Sequence, residues 1–340
     1  MNGNGANRAV TLGDVAKRAQ VSIATASKAL NGREDVADAT RRRVLLAADE
    51  LSFTPNAMAR GLVAGRTGTV GLLTSDLEGR FVLPILMGAE DAFGAGQVNV
   101  FLCDARGDAI REQHHLRALL SRRVDGIIVV GRATDPRPSL GPDIPVPVVY
   151  AYSPSDDPRD MSLVPDNRAG GRLAVEHLVS CGRTRIAHVS GDPTYAAAKD
   201  RLAGAREGLA AAGLELVGEP MFSEWTENWG RDAAAMLLSQ HPDIDGIFAG
   251  SDQIARGVLD TARELGRTVP DDLAVVGYDN WENLATNSRP ALTTVDANLQ
   301  RLGRLAAQRV FEAIDGARLE SGTSQLPVRL IIRGSTIARR

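Results

Sequence analysis

The polar chemistry of residues 22–31 is sparse and ordered. Ser22, Thr25 and Ser27 supply hydroxyls, Lys28 an ammonium and Asn31 an amide, on a run otherwise made of Ile23, Ala24, Ala26, Ala29 and Leu30. Hydroxyls and an ammonium at helical spacing can bond phosphate oxygens, and low bulk lets a helix approach a partner closely. Nothing there looks like a catalytic group. Elsewhere the chain has no nucleophile–base pair at motif spacing, no phosphate loop with its lysine, and no G-x-G-x-x-G after a strand. His114-His115 has no Cys or acidic ligands at usual spacing and reads as a solvated helix face. Cys103 and Cys181 form no metal-ligand spacing and read as reduced thiols. No cofactor and no metal are expected.

These side chains act together only if neighbouring helices hold them on one face. Thr11 is an N-cap with Asp14 three residues on, and Leu12, Val15, Ala16 and Ala19 follow at helical spacing. Gln20-Val21 makes a short turn, Ser22 caps a second helix, and Asn31-Gly32 ends it. On that helix Ala26, Ala29 and Leu30 form a packing stripe, and Ile23, Ala24, Ser27 and Lys28 an exposed one. A third helix, "DATRRRVLLAADEL", puts Val44, Leu45, Ala48 and Leu51 on one side. The expected division is a disordered tail (1–9), a three-helix domain (10–54), a Pro/Gly-interrupted linker (55–67) and a large remainder (68–340). Residues 1–66 hold ten Lys/Arg against six Asp/Glu, whereas the rest holds 29 against 36. A basic head on an acidic body points the head toward a polyanion.

From Thr69 the texture changes. "TVGLLTSD", "VNVFLCDA", "VDGIIVVG", "VPVVYAY", "RIAHVSGD", "DGIFAGSD" and "LAVVGYDN" are apolar, β-branched runs separated by amphipathic segments. Such alternation builds parallel sheets covered on both faces, here as two doubly wound α/β lobes. The Pro/Asp-rich stretch 153–166 is the natural crossing between them, and ligands of open α/β sheets bind at the carboxyl ends of strands, so a cleft between the lobes is the expected site. The start "MNGNGANRAV" lacks the apolar region of a secretory signal, and no run of about 18 apolar residues occurs, so a soluble cytoplasmic protein is expected.

The order "VTLGDVAKRAQVSIATASKALNG…VADATRRRVLLAADELSFTPNAMARGL" resembles the DNA-binding head of the lactose-repressor (LacI/GalR) family. "DNRAGGRLAVEHLVSCGRTRIAHVSGD", "RLAGAREGL", "GIFAGSDQIARGVLDTARELG", "VPDDLAVVGYDN" and "PALTTVDANLQRLGRLAAQRV" resemble that family's effector-binding core, in order, over about residues 10 to 336. The resemblance implies a helix-turn-helix domain, a hinge helix and a periplasmic-binding-protein-like core, with first lobe about 68–164 plus 296–322 and second about 165–295 plus 323–336. It places Ile23, Ala24 and Lys28 in the major groove, and Ser22, Thr25, Ser27 and Asn31 at phosphate or capping positions. Leu62 matches the leucine wedged into the minor groove at the centre of a palindromic operator, with Asn56, Ala57 and Ala59 at hinge positions beside it. Two departures stand out. Ala37 replaces the usual hydroxyl cap of the third helix, leaving Asp38 to substitute; Ile23 and Ala24 are apolar, able to touch thymine methyls but not to make bidentate bonds.

For the cleft, the resemblance implies Arg201 as central effector arginine, Asp279 as effector acid and Trp225 as stacking aromatic. Ser251 and Asp252 stand at a strand end, Ser75, Asp76 and Phe81 at the first-lobe edge, and Tyr152 and Tyr195 in lining positions; Trp281 either lines or covers the cleft. A guanidinium, a carboxylate and a flat ring suit a mono- or oligosaccharide; a purine would use an acid and an aromatic too. The expected partners are thus an inverted-repeat operator, a small effector and a second copy of the chain, with no membrane. Without a heptad tail, a dimer is expected and a coiled-coil tetramer is not. Two other classes compete: a periplasmic-type sugar-binding protein, disfavoured by the basic head, and an α/β enzyme, disfavoured by the absence of a catalytic motif.

Overall fold

The computed structural model describes residues 10–30, 33, 35–53, 66–93 and 98–337. Asn31, Asn56, Ala57, Ala59 and Leu62 fall outside the described residues. The chain divides into two compact units, Met1–Thr67 and Gly68–Arg340.

In the first unit, α1 (Leu12–Arg18) opens with a reciprocal cap: Asp14 N–H donates to Thr11 Oγ1 and Thr11 N–H to the Asp14 carboxylate. α2 (Ile23–Leu30) begins where Ser22 Oγ accepts the Thr25 N–H at 3.0 Å. α3 (Asp38–Glu50) has Ala37 at its N-cap and no side-chain cap, so Asp38 does not replace the missing hydroxyl. The core is Val15, Ala16, Ala19, Ala26, Ala29, Val36, Val44, Ala47 and Ala48. Leu45, expected on the buried face of α3, is 48% exposed instead. Val44, Ala47 and Ala48 obey the same period, and close packing against the alanines of α1 and α2 selects their smaller face.

The second unit is two α/β lobes. The first holds β1 (Thr69–Thr74), β2 (Asn99–Asp104), β3 (Gly126–Val130), β4 (Val148–Ala151), β5 (Met161–Pro165) and β11 (Gly322–Leu326) in the order β11-β5-β4-β3-β1-β2, all parallel. On one face lie α4 (Val82–Phe93) and α11 (Leu299–Ile314), on the other α5 (Ala109–Ser121). The second holds β6 (Ile186–Ser190), β7 (Met221–Phe222), β8 (Gly246–Ala249), β9 (Ala274–Tyr278), β10 (Thr293–Asp296) and β12 (Arg329–Ile331) in the order β12-β10-β9-β8-β6-β7, with only the β10–β12 pair antiparallel. α6 (Asn167–Ser180) and α7 (Ala196–Ala211) cover one face, α8 (Glu227–Gln240) and α9 (Asp252–Glu264) the other, and α10 (Glu282–Ala285) follows β9.

The chain passes between lobes at three short links: after β5, between β10 and α11, and between β11 and β12. The stretch 153–166, read as a crossing loop, contains β5, every residue of which is buried; β11 keeps residues 322–326 in the first lobe's sheet. Both lacked an apolar run long enough to signal a strand. Glycines set the helix spacing within each lobe. A Cβ on Gly204 would lie 1.8 Å from the Arg168 carbonyl, and one on Gly171 2.0 Å from the Arg201 carbonyl, so α6 and α7 meet backbone to backbone. Gly88 with Gly303 does the same for α4 and α11, and Gly230 with Gly257 for α8 and α9.

Candidate DNA-reading face and ligand cleft

On α2, Ala26 and Ala29 are buried while Ile23, 58% exposed, stands out with Ala24 and Lys28. The packing stripe and the exposed stripe are those expected from the periodicity, except that Leu30 is only partly covered and Ser27 is not fully exposed. Ser22 and Thr25 also bond each other through their hydroxyls at 2.8 Å, and Ser27 is half-buried. Lys28 Nζ donates to Asp35 Oδ2 at 2.5 Å, and this bond holds the Asp35 carboxyl below its ordinary range. Asp35, which no motif singles out, holds the ammonium from outside the helix. The exposed stripe therefore offers two apolar groups and one cation on a face of low bulk.

In the core, the strands end in a cleft between the lobes. Arg201, on α7, is 3% exposed, with two of its three nitrogens hydrogen-bonded. Its Nε donates to Asn167 Oδ1 at 2.9 Å, its Nη1 to the Gly250 carbonyl at 2.6 Å, and its Nη2 stands 3.7 Å from Asp279 Oδ1. The guanidinium lies 3.5 Å above the Tyr278 ring and 5.9 Å from that of Trp225. Trp225 fits there because residue 191 is glycine: a Cβ would stand 2.0 Å from the indole. Trp225 faces Tyr195 at a centroid distance of 6.1 Å. On the first-lobe side Phe81 stacks on Tyr152 at 4.7 Å. Burial pushes the Tyr152 phenol upward, with the Asp279 charge adding to it, so it remains a neutral hydroxyl. Asp76 accepts the Gly79 N–H at 2.9 Å, and Ser75 is half-buried beside it.

Two of these residues hold left-handed backbone, Tyr152 at φ 74° and Asp279 at φ 104°. Side chains rarely adopt it, at a cost of roughly 1–3 kcal/mol, and such strain gathers at functional sites. Ser251 and Asp252 take a different part. Ser251 caps α9 by accepting the Ile254 N–H, and Asp252 accepts from Trp281 N–H at 2.6 Å and Thr294 Oγ1 at 2.5 Å. Both are wholly buried, and burial followed by the nearby Asp279 charge pushes the Asp252 carboxyl up to about 8. Asp252 thus braces the loop that carries Asp279 rather than presenting oxygens to the cleft.

Several residues here belong to no sequence motif. Arg80 reaches from the first lobe to Asp279 and to Gln253 Oε1. Burial opposes its charge, but Asp279, together with Tyr152 and Asp252, raises its pKa overall. Arg132 Nη2 donates to Tyr195 Oη at 3.1 Å, and Ala196 N–H to Asp135 Oδ1 at 3.0 Å, also across the lobes. Ser190 Oγ, Thr134 Oγ1, Asp135 Oδ2 and Trp225 Nε1 are buried without a protein partner. Ser190 ends β6, and Thr134 and Asp135 follow β3, so position after a strand was the signal available. Trp281 stacks on Arg80 at 5.1 Å and borders a groove of about 560 Å³ with Arg80, Asn283, Asp296 and Arg329. Among the described residues no helix is long and apolar enough to cross a membrane, and no cluster of His, Cys, Asp or Glu could hold a metal ion.

Two family profiles match the chain: "Bacterial regulatory proteins, lacI family" over residues 11–56 and "Periplasmic binding protein-like domain" over residues 175–336. Catabolite control protein A of Priestia megaterium is 33% identical over 332 residues, covering 96% of this chain and 99% of that protein. The HTH-type transcriptional regulator CelR of Thermobifida fusca is 34% identical over 342 residues, 98% of each. Among solved structures, the lac repressor dimer bound to operator and the anti-inducer ONPF aligns with TM-score 0.76 and 27% identity, over 97% of this chain and 100% of that one. With a helix-turn-helix head and a two-lobed core that regulators of transcription match from end to end, the chain belongs to the lacI family of bacterial regulatory proteins.

Proposed function

We propose that this regulator is a cytoplasmic repressor with no reaction of its own. Two copies bind an inverted-repeat operator, and a small sugar between the lobes releases them. The observation that carries the effector reading is the convergence of Arg201, Asp279, Trp225 and Tyr195 on one cleft, with buried, unpartnered polar atoms on Ser190 and Trp225. Paired charges give directional bonds to neighbouring hydroxyls, and the rings cover sugar C–H faces. A ligand that favours one lobe arrangement shifts the equilibrium between them and so alters DNA affinity. On the DNA side, Ile23 and Ala24 enter the major groove, Lys28 meets phosphate or a base edge, Ser22, Thr25, Ser27 and Asn31 meet the backbone, and Leu62, with Asn56, Ala57 and Ala59, forms the minor-groove wedge.

The test has two stages. A thermal-shift screen of sugars and purines should find a sugar that raises the melting temperature by roughly 5 °C or more at a hundredfold excess over its Kd. That sugar should then weaken binding in an operator gel-shift. Stabilisation by purines alone, or tighter DNA binding with the hit, would reject the reading of a sugar inducer. For the head, Lys28→Ala should weaken operator binding and lower the slope of log affinity against log salt by about one. An unchanged slope would remove Lys28 from the phosphate contacts.

A further inference from the structure

Arg80 starts in the first lobe and ends in the second. It follows β1 in "EGRF", and its Nη2 donates to Asp279 Oδ2 and its Nη1 to Gln253 Oε1 at 2.7 Å. The guanidinium lies 4.7 Å from the Phe81 centroid, in its own lobe, and 5.1 Å from that of Trp281, in the other. Asp279 is thus shared. Its Oδ1 faces Arg201 of the second lobe and its Oδ2 bonds Arg80 of the first. The Arg80 and Asp279 side chains are 20% and 5% exposed, which shields the pair from the screening that weakens surface ion pairs.

We propose that Arg80 is an internal counter-ligand: it holds the ligand-free lobes together by occupying Asp279, and an effector that uses Asp279 must displace it. The closed core then needs no small molecule to close it, and an effector binds by exchanging one set of donors on Asp279 for another. A polyol can make that exchange with hydroxyl donors, whereas an anion would meet the Asp279 charge as soon as Arg80 left. The exchange costs apparent affinity and ties binding to a change in the lobe contact. Arg80 is a positioning residue in this scheme. It sets which lobe arrangement the free protein adopts.

The reporter is the Ala196 amide, which donates across the lobes to Asp135 and touches neither Arg80 nor Asp279. Hydrogen exchange of the full-length protein without any small molecule should show this amide protected in the wild type. In Arg80→Gln its exchange should quicken by about tenfold or more, while the amides of β3 and β8 stay unchanged. Gln253→Ala keeps every charge in place and should give a smaller acceleration, about threefold. Exchange at Ala196 within twofold of wild type in both variants would overturn the proposal. Its meaning for regulation rests on the effector reading of the cleft. The measurement does not, so a failed latch and a failed sugar screen are separate results.

Discussion

Arg201→Ala should abolish effector binding and also lower the melting temperature of the core by roughly 10 °C. The substitution strands three groups at once: Asn167 Oδ1, the Gly250 carbonyl and one oxygen of Asp279. Breaking a buried ion pair from one side costs about 3–5 kcal/mol, because the remaining charge is left unpaired. Arg80 still engages the other oxygen of Asp279, which puts the loss at the lower end. For a domain of this size each kcal/mol moves the melting point by about 2–4 °C. Arg201→Lys keeps the charge but loses the fork that reaches Asn167 and Gly250 together, so it should recover part of the stability and little of the binding. Calorimetry of the two variants, followed by titration with the sugar from the screen, checks both halves. A variant that melts like wild type would mean that Arg201 does not tie α7 to β8 and β9.

His188 should make the protein lose about 2.5 kcal/mol of stability between pH 6.5 and pH 4. The ring is buried in β6, stacked on Phe248 at 4.7 Å and edge-on to Phe222 at 6.1 Å. Its Nδ1 donates to the Phe248 carbonyl at 2.9 Å, which fixes the neutral tautomer, and its Nε2 is buried without a protein partner. Burial drives the pKa from 6.5 down to about 4; the Phe248 bond opposes this, and Arg201 and Arg206 add to it. With the folded value below the unfolded one, the contribution is complete above pH 6.5 and disappears as pH falls through 4. A difference of this size converts at about 1.4 kcal/mol per unit. Asp252, raised to about 8, has the opposite sign, so the comparison must be made against a His188 variant. Denaturant titrations at pH 7.5 and pH 4.5 should show His188→Leu losing about 2.5 kcal/mol less than wild type on acidification. Equal losses would show that the ring accepts a proton where it lies.

The sequence was read most easily where one interaction dominates. The seven long apolar runs that signalled strands are β1–β4, β6, β8 and β9; all but β2 are central strands, which need apolar residues throughout because both their faces are covered, whereas β2 is an edge strand whose Phe101 and Leu102 remain exposed. β10, β11 and β12 carry Thr, Ser, Gln, Arg and Asp, and are strands because a neighbour supplies the ladder. α3 shows the same limit: helical period places Val44 inside but does not choose between Leu45 and Ala47. In the cleft, Arg201, Asp279 and Trp225 were accessible through their motifs, and the structure gathers them at one place. Asp252 sits in an equally clear motif yet spends its carboxylate on Trp281 and Thr294.

By itself the sequence determined the parts: three helices, the first two capped, with a small exposed face, two sets of βα units, and the lacI-family order that joins them. Each of these rests on contacts within a few residues or on a period of 2 or 3.6, so local sequence carries the information. The tertiary structure alone decided which charges meet. Arg80 and Asp279 are 199 positions apart, and Asp135 and Ala196 are 61 apart. No pattern along the chain announces such pairs, because their partnership depends on how two lobes close on each other.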